Sequence, residues 1–93
     1  MFDKFNSFIW DKGNSSKNLI KHNITCQESE EIFSDESQSI IDDELHSKIE
    51  KRTLIIGKTF NNKLLLVIFT LRNNNIRIIS ARIASKKEKK LYE

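Results

Sequence analysis

The sequence predicts an α+β domain: an antiparallel β-sheet with two N-terminal helices packed on one face and a short C-terminal helix. Three observations predict it. β-rich runs at Arg52–Lys58, Lys63–Leu71 and Ile76–Arg82 follow one another with only asparagine-rich gaps between them. Thr25 with Glu28, and Ser85 with Glu88, have capping-box spacing, in which the two side chains satisfy free backbone N–H groups at a helix start. The length, 93 residues, suits one domain over residues 1–93, able to bury roughly 60–70% of its unfolded surface.

The elements follow in order. Phe5 to Trp10 is aromatic-rich and reads as a first strand with Phe8 and Trp10 on one face. Asp11 offers an N-cap for a weakly apolar helix holding Leu19 and Ile20, and Asn23 takes the left-handed conformation that ends it. Thr25 opens a second helix whose Cys26, Ile32 and Phe33 point inward. Asp35 to His46 is a polar connection around a short strand at Ser39–Ile41. Asn61-Asn62 and Asn73-Asn74-Asn75 punctuate two hairpins, because asparagine tolerates positive φ. Leu64-Leu65-Leu66-Val67-Ile68-Phe69 is apolar at odd and even positions alike, so this strand is covered on both faces and lies centrally. Ser85 starts a basic helix ending at Glu93.

Composition bounds the function. Hydrophobic content of 38% and charged content of 31% are those of a soluble globular domain, expected in the cytoplasm of a bacterium. The single cysteine, Cys26, excludes an internal disulfide, and with only 2 histidines no metal site or cofactor is expected. The longest apolar run, Leu64 to Phe69, is too short to span a membrane, and no segment resembles a signal peptide. Charge is segregated. Between Gln27 and Glu50 the acidic residues Glu28, Glu30, Glu31, Asp35, Glu36, Asp42, Asp43, Glu44 and Glu50 face Lys48 alone. Between Arg77 and Lys90 the basic residues Arg77, Arg82, Lys86, Lys87, Lys89 and Lys90 face only Glu88. Such asymmetry suits a protein that meets a polyanion with one face, although a solvated surface explains charge alone equally well.

Gly13 and Gly57 are the only glycines, so there is no glycine-rich phosphate loop, and no nucleophile elbow or metal motif is present. Arg77, Arg82, Arg52, Lys21, His22, His46, Glu50 and Tyr92 remain as candidates. The matching chemistry is RNA cleavage through the RNA's own 2′-hydroxyl. A base takes the 2′ proton, cations stabilise the crowded phosphate, and an acid protonates the leaving 5′ oxygen.

At these residues the chain resembles the BrnT toxins of bacterial type II toxin–antitoxin modules. The likeness runs from about Phe8 to Tyr92 in three ordered blocks. The first is Trp10-Asp11, Asn18, Lys21-His22, Ile24 and Glu28. The second is His46-Ser47, Glu50, Arg52 and Ile56-Gly57. The third is Ile76-Arg77-Ile78-Ile79-Ser80-Ala81-Arg82 with Ala84, Glu88 and Tyr92. The resemblance implies a RelE-like fold and a metal-independent endoribonuclease that inhibits translation. It also implies a BrnA-like ribbon-helix-helix antitoxin, two toxins on an antitoxin dimer, and operator DNA bound only through that antitoxin. Three positions depart from the family pattern: Asn14 where a lysine is usual, Asn23 for glycine and Cys26 for an aromatic.

Arg77 and Arg82 are the expected phosphate-binding pair. Five residues apart, they point to opposite faces of a regular strand, so a bulge near Ser80-Ala81, or Arg82 beyond the strand end, is required to unite them. Otherwise Arg82 pairs with a carboxylate such as Glu50 and serves structure. His46 is the acid–base candidate, and Glu50 is a base or a partner of Arg52. Lys21, His22, Arg52, Lys86 and Tyr92 are candidate RNA contacts; His22 equally suits a helix end, and Tyr92 equally packs on the sheet. Two rival readings remain: a catalytically degenerate toxin kept for antitoxin binding and operon repression, and a non-catalytic basic nucleic-acid-binding domain.

Overall fold

The computed structural model describes residues 7–14, 22–43 and 50–93. Its strands are β1 (Phe8–Ile9), β2 (Ser39–Asp43), β3 (Arg52–Lys58), β4 (Leu64–Arg72) and β5 (Asn75–Ile83). Helix α1 (Cys26–Glu31) tightens into a 3-10 turn over Ile32–Ser34, and helix α2 (Lys86–Tyr92) follows β5. One five-stranded sheet takes the order β1-β5-β4-β3-β2, which places β4 at its centre. Strands β2 to β5 are antiparallel, as the hairpin signals require, but β1 joins β5 in parallel, with Phe8 opposite Ile76. The sheet is therefore mixed, a correction to the all-antiparallel expectation. Apolar alternation identifies a strand but carries no direction, and the long connection from β1 to β5 permits a parallel pair.

Both hairpins are built on asparagine. Asn73 and Asn74, at φ 51° and 64°, form the two-residue loop between the paired Arg72 and Asn75, the mirror-image turn that matches strand twist. Asn62 at φ 64° closes the β3–β4 turn, its N–H donating to the Thr59 carbonyl at 3.0 Å. Asn23 also adopts positive φ, 57°.

The two capping boxes form as the spacing predicts. Glu28 N–H donates to Thr25 Oγ1 at 3.0 Å while Thr25 N–H donates to the Glu28 carboxylate, and Ser85 with Glu88 repeat the arrangement. Helix α1 lasts six residues, and its tightening into the 3-10 turn lays Ile32 (0% exposed) and Phe33 (8%) on the sheet. The buried helical residue is Ser29; Cys26 is only half-buried. At Gly57 a side chain would meet Ile32 Cβ and its carbonyl oxygen at 3.0 Å, so a glycine lets the turn reach β3. The expected first helix lies mostly in residues 15–21, outside those described. Its start is corrected: Lys12 to Asn14 form a turn, with Asn14 N–H donating to the Asp11 carbonyl at 3.2 Å.

Residues opposite each other on neighbouring strands project to the same face, and this separates the two sides of the sheet. One side carries Ile55, Val67 and Ala81 in one row and Phe69 with Ile78 in the next. With Ile24, Ile32, Phe33, Leu65 and Ile76 they form the core, to which Phe8, Trp10 and Ile40 add. Phe33 sits edge-on between Phe8 and Phe69, with centroids 5.2 Å from each. Each such buried side chain contributes about 1.5–3 kcal/mol. The other side carries Ile56, Leu66 and Arg82 in one row, Leu54, Ile68 and Ser80 in the next, then Thr70 with Arg77. Helix α2 covers one end of that side, where the Ser39 hydroxyl donates to the Leu91 carbonyl at 2.8 Å. The central strand is thus shielded on both faces there, with Leu66 at 4% exposure.

The strand β5 is irregular. Ile68 pairs with Ser80 and Phe69 with Ile78, so Ile79 is an extra residue without a partner on β4. This bulge lies just before the Ser80-Ala81 step singled out in the sequence. It reverses the side-chain alternation, and Arg77 and Arg82 consequently share the second face.

Candidate active site

A row of polar side chains crosses the uncovered end of this face. Thr70 lies opposite Arg77, and the β3–β4 register carries Arg52 to the other side of Thr70. Arg52 in turn lies opposite Asp43. With strands about 4.8 Å apart, Arg52 and Arg77 flank Thr70 at roughly 10 Å from one another. The Thr70 hydroxyl is occupied, donating to the Lys51 carbonyl at 2.7 Å. Arg72, two residues further along β4 on the same face, forms a two-pronged pair with Glu50 at 2.7 and 2.9 Å. Those hydrogen bonds hold the Glu50 carboxyl below its usual range, and the nearby Arg77 and Arg52 charges push it the same way. Three guanidiniums from three adjacent strands therefore share one corner with the carboxylates of Glu50, Asp11 and Asp43.

Arg77 is set most deeply. Its side chain retains 16% exposure, and its Nη2 donates to Asp11 Oδ1 at 3.1 Å. Its Nε is shielded from solvent and has no hydrogen-bond partner among the described residues. A guanidinium always keeps its charge and has five N–H donors, so a buried one with an idle donor is unusual.

The turn around it is tightly organised. Asp11 Oδ1 also accepts from Gly13 N–H at 2.8 Å, and a side chain on Gly13 would meet Arg77 Nη2 at 3.0 Å. Asn14 is 1% exposed. Its amide donates to the Ile9 carbonyl at 2.9 Å and the Ile78 carbonyl at 2.7 Å, while its oxygen accepts from Asp11 N–H at 2.8 Å. Where β1 ends, this one amide takes over the pairing to β5 beside the bulge.

Arg82 is a different case. Its Nη1 and Nη2 reach the Glu88 carboxylate at 2.7 and 2.6 Å, and Nη1 also donates to the Ile83 carbonyl. Glu88 is the capping-box residue of α2, so Arg82 fastens that helix to the sheet. Its acidic partner is Glu88 rather than Glu50. Thr70 and Leu66, the β4 partners of the two arginines, stand about 13 Å apart along the strand.

Of the remaining candidates, Tyr92 and Lys86 lie on α2, away from this corner. Tyr92 packs at the far end of α2, its hydroxyl donating to Asp35 Oδ2 at 2.7 Å and its ring 5.7 Å from the Lys58 ammonium. Burial alone would raise Asp35, but bonds from Lys58 N–H, Tyr92 and Ser37 N–H outweigh it and keep the carboxyl low. Lys86 is exposed in the first turn of α2 and His22 is exposed. Lys21 and His46 lie outside the described residues. Glu50 pairs with Arg72, not Arg52.

Sequence reading passed over Arg72, Asp11 and Asn14 as site residues. Arg72 falls one residue beyond the Lys63–Leu71 run, where alternation from Thr70 points to it. Asp11 and Asn14 were read as a helix start and a departure from a family pattern. The Asp-Lys-Gly-Asn order, which favours a turn over a helix, was the available signal.

Residues 10–88 match the family model described as the ribonuclease toxin, BrnT, of type II toxin–antitoxin systems. The chain belongs to the BrnT toxin family. No curated protein matches it. The crystal structure of the Brucella abortus ribonuclease toxin BrnT is similar at a TM-score of 0.63 and 24% identity, over 86% of this chain and 97% of that one. That likeness shows a shared fold. The BrnT match begins at Trp10 and ends at Glu88, so it contains both the Asp11–Asn14 turn and the arginine row. As a toxin of a type II system the chain has an antitoxin partner. Among the described residues no helix is long and apolar enough to cross a membrane.

Proposed function

We propose that this BrnT-family chain is a metal-independent endoribonuclease that cuts RNA at the corner formed by Arg52, Arg72 and Arg77. The observation that carries the reading is Arg77, a largely buried guanidinium whose Nε has no partner among the described residues. Such a group is preorganised to meet phosphate oxygens and needs little reorganisation when charge builds up. The 2′-oxygen attacks phosphorus, the P–O5′ bond breaks, and the products carry a 2′,3′-cyclic phosphate and a 5′-hydroxyl. Arg77 and Arg52 neutralise the phosphate oxygens as this happens. His46 is assigned proton transfer, because an imidazole titrates near neutral pH. Glu50, held ionised by Arg72, is a weak base and is assigned the task of orienting Arg72. Lys21, His22 and Lys86 are assigned contacts to the RNA backbone. Arg82 and Tyr92 hold α2 in place.

RNA cleavage would halt translation in the cytoplasm. A BrnA-like ribbon-helix-helix antitoxin would bind the toxin as two copies on an antitoxin dimer and carry the pair to operator DNA. The test is induction of the wild type and of Arg77→Ala in cells without antitoxin, with cellular RNA ends mapped. New ends and growth arrest from the wild type alone support the reading. Folded protein that gives neither favours the degenerate, antitoxin-binding alternative. Salt-sensitive RNA or DNA binding with no cleavage favours the basic binding domain.

A further inference from the structure

We infer that Asp11 is a positioning residue for Arg77, and that the Asp11–Asn14 turn exists to fix the orientation of that guanidinium. The inference rests on the ribonuclease reading above and adds a component to it. Nη2 of Arg77 is held by Asp11 Oδ1 at 3.1 Å and Oδ2 at 3.4 Å, so one corner of the fork is fixed. No described residue accepts from Nε. A carboxylate that served only to neutralise the charge would take two parallel N–H donors, as Glu88 does with Arg82 and Glu50 with Arg72. Asp11 takes Nη2 and leaves Nε without an acceptor among the described residues.

The support for Asp11 is itself fixed. Gly13 N–H and Arg77 Nη2 share the same Asp11 oxygen, and the missing side chain at Gly13 gives the guanidinium its room. Asn14 ties the turn to Ile9, Ile78 and Asp11 at 2.7–2.9 Å, so turn, β1 and the bulged part of β5 move together. The bond to the Ile78 carbonyl anchors the residue next to Arg77 on its own strand. Asp11 is half exposed, at 50%, which fits an orienting contact better than a stabilising core ion pair.

The test uses the purified chain and a short single-stranded RNA with a fluorophore and a quencher. Asp11→Ala is expected to lower kcat about 10–100-fold, the usual cost of losing a residue that orients a functional group, with KM changed less than about threefold. In an Arg77→Lys background, Asp11→Ala is expected to cost less than about twofold more, because a lysine has no fork to aim. If Asp11→Ala fails to fold, Asp11→Asn keeps the oxygen for Gly13 and loses the charge, and should still lower kcat at least about fivefold. An unchanged kcat in the folded variant overturns the inference, as does an equal loss in the Arg77→Lys background. Arg77→Ala at full activity overturns the ribonuclease site and the inference with it. An inactive Arg77→Ala beside a fully active Asp11 variant overturns the inference alone.

Discussion

Two arginines on one strand and one face of the sheet have opposite surroundings. Arg82 is 39% exposed, yet both of its terminal nitrogens meet the Glu88 carboxylate, which also caps α2. Arg77 is 16% exposed, yet it meets Asp11 through one nitrogen, and its buried Nε has no partner among the described residues. Stability would favour the reverse arrangement, with the fully paired guanidinium inside and the poorly paired one in water. That inversion is what the proposed phosphate-binding role of Arg77 accounts for. The bulge at Ile79 puts the two side chains on one face, but their partners send them to different tasks.

The largest test of this contrast is activity. Arg77→Ala should lower the cleavage rate by about 100–1000-fold, the cost of removing one preorganised donor to a charged transition state. Arg82→Ala should lower it less than about tenfold. Initial rates on one RNA substrate, with circular dichroism to confirm folding, would decide between them. Equal losses would mean that the pair acts as a unit and that the contrast is false.

Asn14 comes next, because it supports the Arg77 end alone. Removing its amide in Asn14→Ala leaves the Ile78 and Ile9 carbonyls and Asp11 N–H without their partner. About 2–3 kcal/mol of stability should be lost, read as the midpoint of urea unfolding. Asn14→Asp should do as badly, since a carboxylate repels both carbonyls. A loss below about 0.5 kcal/mol would show that the turn does not depend on that amide.

Much of the frame was legible in the sequence, for local reasons. Thr25, Glu28, Ser85 and Glu88 sit at capping-box spacing, and Asn62, Asn73 and Asn74 mark turns that few other residues accept. Doubly apolar β4 had to be central. The parallel direction of β1 was not legible, because pairing direction is set by the distant path of the chain. The first turn differs from the expected helix start because Asp11 is as good a helix cap as it is a turn residue, and a half-exposed ion pair with Arg77, far along the chain, decides between them. Within the site, the need for a bulge followed from the odd spacing of Arg77 and Arg82. Partner choice did not, since Glu50 and Glu88 were equally available to Arg82 on charge, and only the docking of α2 selects Glu88.

The Arg82 end makes a smaller and purely structural prediction. Its pair is partly exposed, so Arg82→Ala should cost about 1 kcal/mol, or about 4–8 °C in melting temperature for a domain of this size. Glu88→Gln should cost a similar amount and the double variant little more, since both single changes break one contact. Additive losses would mean that Arg82 supports the sheet by its packed stem and not through Glu88.

The same pair gives the finest test, a dependence on acid. The Arg82 hydrogen bonds, and beyond them Ser85 N–H, hold the Glu88 carboxyl below its usual range despite burial, which acts the other way. A carboxyl depressed on folding contributes stability that is complete above its unfolded value, about 4.3, and fades as pH falls through its folded value. Glu28 behaves alike, held low first by Lys63 and then by Thr25 N–H, so both helix starts weaken over the same range. The wild type should therefore lose melting temperature steadily below about pH 4.5, and Arg82→Ala should lose less, because its Glu88 titrates nearer the unfolded value. The gap between the two proteins should narrow between pH 7 and about pH 3. A gap of constant width would mean that Arg82 contributes no charge pairing to Glu88, and that only its packing separates the two ends of β5.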